Sequence, residues 1–367
     1  MNASPKLLIV VAGALSLCQG ICQAEETITL SNVPKAPKIT GREPMANKFS
    51  FVQAARYLDT ASLSWQKIKK CATCHTNIAY MFARPALDGY LKHSGEVRQF
   101  FEAYRTERWK SDKVAKRSRF WPIVVGAGLT MNDLQTTGKL HPITRDVLDI
   151  MWTTQRPDGG WDWPDCEYAP IETDDHYGVT LAALVTGLAP DGYAHTDAAK
   201  VGLQKIRQFL ANDPPKSLHH RVMIAWCSVR IDGLISPEQR AMTLEQMLAI
   251  QRPDGGWATP GYLADWKGLK RHDGKPHDLK TSDAYGTGLA LVVARELGVP
   301  ADDARLKRGV AWLLGNQREN GMWFTHSPSL DRHHYMTNTG TAYAVLGLQA
   351  CGKLPGWPLG SKKSPEK

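Results

Sequence analysis

The chain has 367 residues, 43% hydrophobic and 22% charged, with a mass of 40.7 kDa. This composition excludes wholesale disorder, and seven cysteines are too few for a disulfide-built scaffold. The net charge of +9 is dispersed over Lys67-Ile68-Lys69-Lys70, Arg105 to Arg119 and Lys362-Lys363. With no recognition-helix or RNP pattern, nucleic acid is not an expected partner. A solvated basic surface is the simpler reading, with weak peripheral contact to anionic membranes as the alternative.

The first element is apolar, Leu7 to Leu17, preceded by Lys6 and followed by Cys22-Gln23-Ala24. It is shorter than the about 20 apolar residues a spanning helix needs. The charge, the apolar run and the small residues form a signal-peptide pattern. Cleavage after Ala24 is expected, giving an exported protein, periplasmic or extracellular, with a net charge of +8 after loss of Lys6. An N-terminal core helix is the competing reading. Leu17 and Ile21 precede Cys18 and Cys22 where lipidation would need small residues, and no other segment reads as a membrane anchor. Five cysteines remain: Cys71, Cys74, Cys166, Cys227 and Cys351. The last three are an odd number, so at least one is expected as a buried thiol or an intermolecular partner.

Residues 25–50 are polar and proline-containing and read as a loose N-terminal arm. From Phe51 the apolar residues recur at helical spacing, beginning with Phe51-Val52-Ala54-Ala55-Tyr57-Leu58, and convincing strand alternation is almost absent. The expected class is all-α. Residues 51–141 read as N-terminal hairpins carrying Cys71-Ala72-Thr73-Cys74-His75, a CxxCH motif. Its two thiols are spaced to add across the vinyl groups of a haem, with His75 as proximal iron ligand, and an exported protein is where such attachment occurs. The expected cofactor is therefore haem c on Cys71, Cys74 and His75. A disulfide, a redox pair or a metal site stays open, although no thioredoxin-like βαβ pattern and no second zinc-ligand pair is present. Met81 lies close along the chain for a sixth ligand; His93 and Met131 are better separated, and a five-coordinate iron is equally allowed.

Residues 142–352 repeat. QRPDGGW occurs at Gln155–Trp161 and identically at Gln251–Trp257, and QRENGMW at Gln317–Trp323 is a degenerate copy. Each follows an apolar helix and precedes a second helix with a shared opening: Glu172-Thr-Asp-Asp-His-Tyr-Gly, Lys280-Thr-Ser-Asp-Ala-Tyr-Gly and Met336-Thr-Asn-Thr-Gly-Thr-Ala-Tyr. From Trp161 to Asp175 and from Trp323 to Thr337 is 14 residues; the middle copy takes 26, with a charged insertion. The pattern describes helical hairpins that must stack or close into a ring to bury their apolar faces. The glutamine is read as capping helix-end carbonyls, the glycines as a turn, and the tryptophan as a staple over the helix end. Residues 353–367 form a basic tail.

These repeats resemble the QW motifs of the squalene–hopene and oxidosqualene cyclase family (prenyltransferase and squalene oxidase repeats). The closer likeness is to exported proteins joining a CxxCH hairpin to such repeats. The resemblance implies a single α/α toroid. It places the family's DxDD acid triplet on Glu172, Asp174 and Asp175, with Asp174 as the proton donor to a terpene. Aromatic candidates to stabilise cations are Trp161, Trp163, Tyr177, Trp226, Tyr285 and Trp323. Glu172 replaces the first Asp and His176-Tyr177 replaces the usual Thr-Ala. Asp175 aligns with Asp283, so both are expected to be helix caps. His219-His220 and His333-His334 are read as loop or surface pairs, His176 and His272 as able to reach a central cavity, and Cys227 as core.

Three functions follow as expectations. The first is a haem-bearing exported toroid that binds an apolar ligand, such as an isoprenoid, or a redox partner. The second is a terpenoid cyclase, an isomerase using Asp174. The third is a structural or interaction toroid with CxxCH as a disulfide.

Overall fold

Two kinds of helix alternate along the chain in the computed structural model, which describes residues 26–36, 38–107, 119–166, 168–329, 335–357 and 359. The leader, His333-His334, Lys362-Lys363 and most of the basic stretch before Arg119 lie outside the described residues. The first three hairpins are α1 (Phe51–Lys69) with α2 (Asn77–Ala83), α3 (Glu96–Thr106) with α4 (Trp121–Thr136), and α5 (Pro142–Thr153) with α6 (Asp175–Leu188). The next three are α7 (Asp197–Asn212) with α8 (Leu218–Cys227), α9 (Pro237–Ala249) with α10 (Ala284–Glu296), and α11 (Ala304–Gly315) with α12 (Met336–Ala350). The protein is all-α, with no strand among the described residues.

Odd-numbered helices are amphipathic. In α7 the buried set is Ala199, Gly202, Leu203, Ile206 and Phe209, one face at helical spacing. Even-numbered helices are buried nearly all round: every residue of α2 and α12 is buried, and every residue of α8 but Arg221. The even helices touch in the order α2, α4, α6, α8, α10, α12, and α12 returns to α2, so their contacts form a cycle. Each odd helix packs outside it: α1 on α2 and α12, α3 and α5 on α4, α7 on α6, α9 on α8, and α11 on α10 and α12.

The repeated motif makes the joints of this cycle. The glutamine donates its amide to its own loop, Gln155 to Gly159 O, Gln251 to Gly255 O and Gln317 to Gly321 O. The same Nε2 reaches the next hairpin, at Gly202 O, Arg305 O and Ser50 O respectively. Thus the glutamine, expected only to cap, carries the link between neighbours. The tryptophan indole donates back ten residues in every copy, to Met151, Met247 and Leu313 carbonyls. The glycine at Gly159, Gly255 and Gly321 has φ of +93, +93 and +91°, and a Cβ there would strike a backbone carbonyl of the next outer helix. The third joint closes the chain on itself, because Ser50 N also donates to Gln317 Oε1 at 2.7 Å.

The arm expected to be loose is pinned. Ala46 N donates to Gln317 O and Glu319 N to Pro44 O, while Leu30 is held by Glu96 and Lys67. These are largely main-chain bonds, to which polar composition gives no clue. A buried ion pair, Arg84 Nε and Nη2 on the Asp59 carboxylate at 2.9 Å, fixes α2 against α1. Cys227 is core, as expected.

The collision at the joint separates two glycines of equal φ. Gly298 also has φ +91° but nothing within 4 Å of a built Cβ, so Gly298→Ala is expected to cost about 1–2 kcal/mol for the left-handed conformation. In Gly321→Ala the Cβ would lie 1.9 Å from Gln53 O, which is expected to add at least ~2 kcal/mol of overpacking. Urea unfolding of both variants measures the difference; equal losses would remove the joint from this account.

Candidate functional site

At Lys70 the backbone turns left-handed, with φ of 50°, and releases α1 into the loop that carries CxxCH. Tyr104 of α3 holds that loop by accepting from Ala72 N at 3.0 Å, and Thr339 of α12 donates to His75 O at 2.8 Å. His75 is 4% exposed. Tyr335 lies flat on its imidazole at 4.7 Å and Trp65 meets it edge-on at 4.8 Å, with Tyr168 alongside. Burial lowers its pKa to about 3, so it is neutral.

Glu172, read from the sequence as a cyclase acid, belongs to this loop instead. Residues 166–172 double back through Cys166 N and Tyr168 N onto Glu172 O. The Glu172 carboxyl, in a residue 7% exposed, lies beside the thiols of Cys74 and Cys166 and the Cys74 backbone N–H. Burial raises its pKa despite those neighbours. Burial, with the neighbouring carboxyl, pushes the Cys74 thiol well up and the Cys166 thiol to about 11. Cys74 is buried, Cys71 half-buried and Cys166 exposed. The part of Cys166 was not legible in the sequence, since nothing there pairs it with the motif 92 residues earlier.

For the haem expected on Cys71, Cys74 and His75, Cys74 and His75 are buried and Cys71 is half-buried. Thr76 Oγ1 accepts from Asn338 Nδ2 at 3.0 Å and lies 2.7 Å from His75 Nδ1. The adjoining cleft of about 370 Å³ is lined by Trp65 and Tyr335 but by none of the three motif side chains. Of the sixth-ligand candidates, Met81 and Met131 are buried core and His93 pairs with Asp88 at 2.6 Å.

Asp174 and its neighbours form a second cluster. His220 Nε2 and Lys216 Nζ each lie 3.4 Å from the Asp174 carboxylate. Burial works to raise its pKa, but the bond and charge of His220 and the charge of Lys216 hold it at about 2. An acid this strongly ionised is not in the protonated form that donation to an alkene requires. His176, buried, stacks on His220 at 4.6 Å. His219 and His220, expected on a surface, are buried on α8, where Arg221 is the one residue left partly exposed. Asp175, expected as a helix cap, is the first residue of α6, and the N-cap position falls on Asp174, whose side chain makes no capping bond; Asp175 instead accepts from Trp163 N as Asp283 does from Thr259 N and Thr337 from Thr325 N, each two residues past the motif tryptophan. Asp283 also caps α10, and burial raises its pKa to about 6. Trp161, Trp226, Trp323 and Tyr285 are fully buried, Trp163 and Tyr177 nearly so. The three motif tryptophans spend their indole N–H groups on the joints.

No protein-family model matches the chain, and no curated protein shows significant similarity to it.

Three neutral buried imidazoles carry a pH consequence. Burial is the leading cause that puts His75 and His219 at about 3 and His176 at about 4, against roughly 6.5 unfolded. Below pH ~6.5 the unfolded chain binds protons that the folded chain does not, so stability is full above that pH and falls with acidification by up to ~1.4 kcal/mol per unit per imidazole. Urea midpoints at neutral pH and near pH 5 test this; a flat profile would mean the imidazoles are hydrated.

Proposed function

We propose that this protein is an exported thiol–disulfide exchange protein, with Cys71 and Cys74 as its dithiol and Glu172 as the proton acceptor, carried on a cyclase-like ring of helical hairpins. The observation that carries the reading is the burial of Cys74 beside the buried Glu172 carboxyl while Cys71 stays half-buried. The cyclic contact order and the three equivalent joints support the resemblance to a single α/α toroid. The leader pattern supports a compartment where disulfide chemistry operates.

The step balances with a disulfide-bearing protein as co-reactant. The Cys71 thiolate attacks one sulfur of the partner's disulfide, forming a mixed disulfide and releasing a partner thiolate. Glu172 takes the proton from Cys74. The Cys74 thiolate then attacks Cys71 Sγ, closing Cys71–Cys74 and releasing the second partner thiolate, which is protonated by solvent. The partner gains two electrons and this protein loses two; the reverse direction oxidises a partner dithiol. A carboxylate whose proton affinity burial has raised is a better base for a thiol than a solvated one. Cys166, sharing the carboxyl, is placed to compete for the Cys71 sulfur.

Cys74→Ser is expected to trap a mixed disulfide with a model protein disulfide, and Cys71→Ser to form none. Glu172→Gln is expected to slow resolution at least ~tenfold at neutral pH, by loss of a general base, with recovery at alkaline pH. Alkylation gel shifts follow all three. Absence of a Cys71–Cys74 disulfide under oxidising buffer, or a pyridine haemochrome band from protein matured with a c-type haem system, would overturn the reading.

A further inference from the structure

The cleft of about 370 Å³ beside the His75 cage is bounded by the arm and by α1 and α12, a volume within the range of small-molecule sites. Its walls are mostly apolar: Ile39, Ala61, Trp65, Ile68 and Tyr335. Three lysines line it, Lys35, Lys38 and Lys69, all exposed, and no acidic residue does among the described residues. Ile68 is 64% exposed, so apolar surface continues to the mouth. The indole Nε1 of Trp65 is buried with no hydrogen-bond partner, and Lys69 Nζ lies 5.9 Å from that ring.

We propose that this cleft binds a free amphiphile with one anionic head group, a carboxylate or phosphate ester on an apolar tail. The head sits among Lys35, Lys38 and Lys69, and the tail lies along Ile39, Ala61 and Tyr335. Charge complementarity selects the sign of the head and the apolar walls select the tail. The inner end is connected to the CxxCH loop. Tyr57 OH donates to Asn338 Oδ1 at 2.8 Å, Asn338 Nδ2 to Thr76 Oγ1 at 3.0 Å, and Thr76 meets His75 at 2.7 Å. The binding site does not depend on the thiol chemistry proposed above.

Titration calorimetry of the full mature chain with sub-micellar laurate, and with dodecyltrimethylammonium as the matched cation, tests the proposal. One laurate per chain is expected to bind and the cation not to. The triple variant Lys35→Gln, Lys38→Gln, Lys69→Gln, on exposed positions that leave the fold intact, is expected to weaken laurate about tenfold, as three partly screened charge contacts would. Equal binding of both head groups, or unchanged affinity in the lysine variant, would overturn the proposal. So would association with phosphatidylglycerol vesicles alone, without binding of free laurate, which would make this face a membrane contact.

Discussion

A single carboxamide nitrogen at each joint determines how the hairpins sit. Gln155, Gln251 and Gln317 spend both amide protons on carbonyls, one in their own turn and one on the following hairpin. An isolated hairpin leaves its apolar face in water, so the relative placement of neighbours is the folding problem here. The joint solves it with a fixed donor, a left-handed glycine that lets two backbones touch, and an indole plugged into the preceding helix. At the last joint Ser50 is gripped by both its N–H and its carbonyl, which positions α1 beside α12. The CxxCH loop hangs from that pair, with Thr76 and His75 tied to Asn338 and Thr339 of α12. The site is therefore as well placed as the ring is closed.

Much of this was legible because the repeats spell out their joints. Helix class, hairpin order and the equivalence of Asp175, Asp283 and Thr337 all follow from aligning the chain with itself. The glutamine's second bond did not, because its acceptor is a backbone carbonyl about fifty residues onward, or at residue 50, and every residue has one. The inner helices misled in another way. On α8 only Arg221 is partly exposed, so His219 and His220 are both interior despite being adjacent. Main-chain bonds hid the arm in the same manner.

The site itself was legible in two halves that the sequence keeps apart. Cys71-Cys74-His75 read as a haem anchor and Glu172-Asp174-Asp175 as a cyclase triplet, about a hundred residues distant. Alternation brings them together. Every loop running from an outer helix into an inner one opens at the same end of the ring. Those crossovers supply Cys71 to Thr76, Cys166 to Asp174, Lys216 and Tyr335. Contacts of His75 with Tyr168 and Tyr335, and of Asp174 with Lys216, are what that gathering produces. Pattern reading recognises each segment's local chemistry but not its neighbour across the ring.

Two carboxyl groups two residues apart end in opposite states, and this divides the chemistry. Asp174 faces Lys216 and His220, whose charges outweigh its burial and keep it a fixed anion. Glu172 has no cation among the causes of its shift; burial prevails, and its partners are thiols. Where neighbouring acids are driven apart in proton affinity, the one raised is the one able to exchange a proton near neutrality. Asp174 thus stays paired with Lys216 and His220, while the proposed exchange gives the proton to Glu172. The thiol it faces belongs to the cysteine pair whose other member reaches solvent. A base, a buried sulfur and an exposed sulfur in that order are the components that resolution of a mixed disulfide requires.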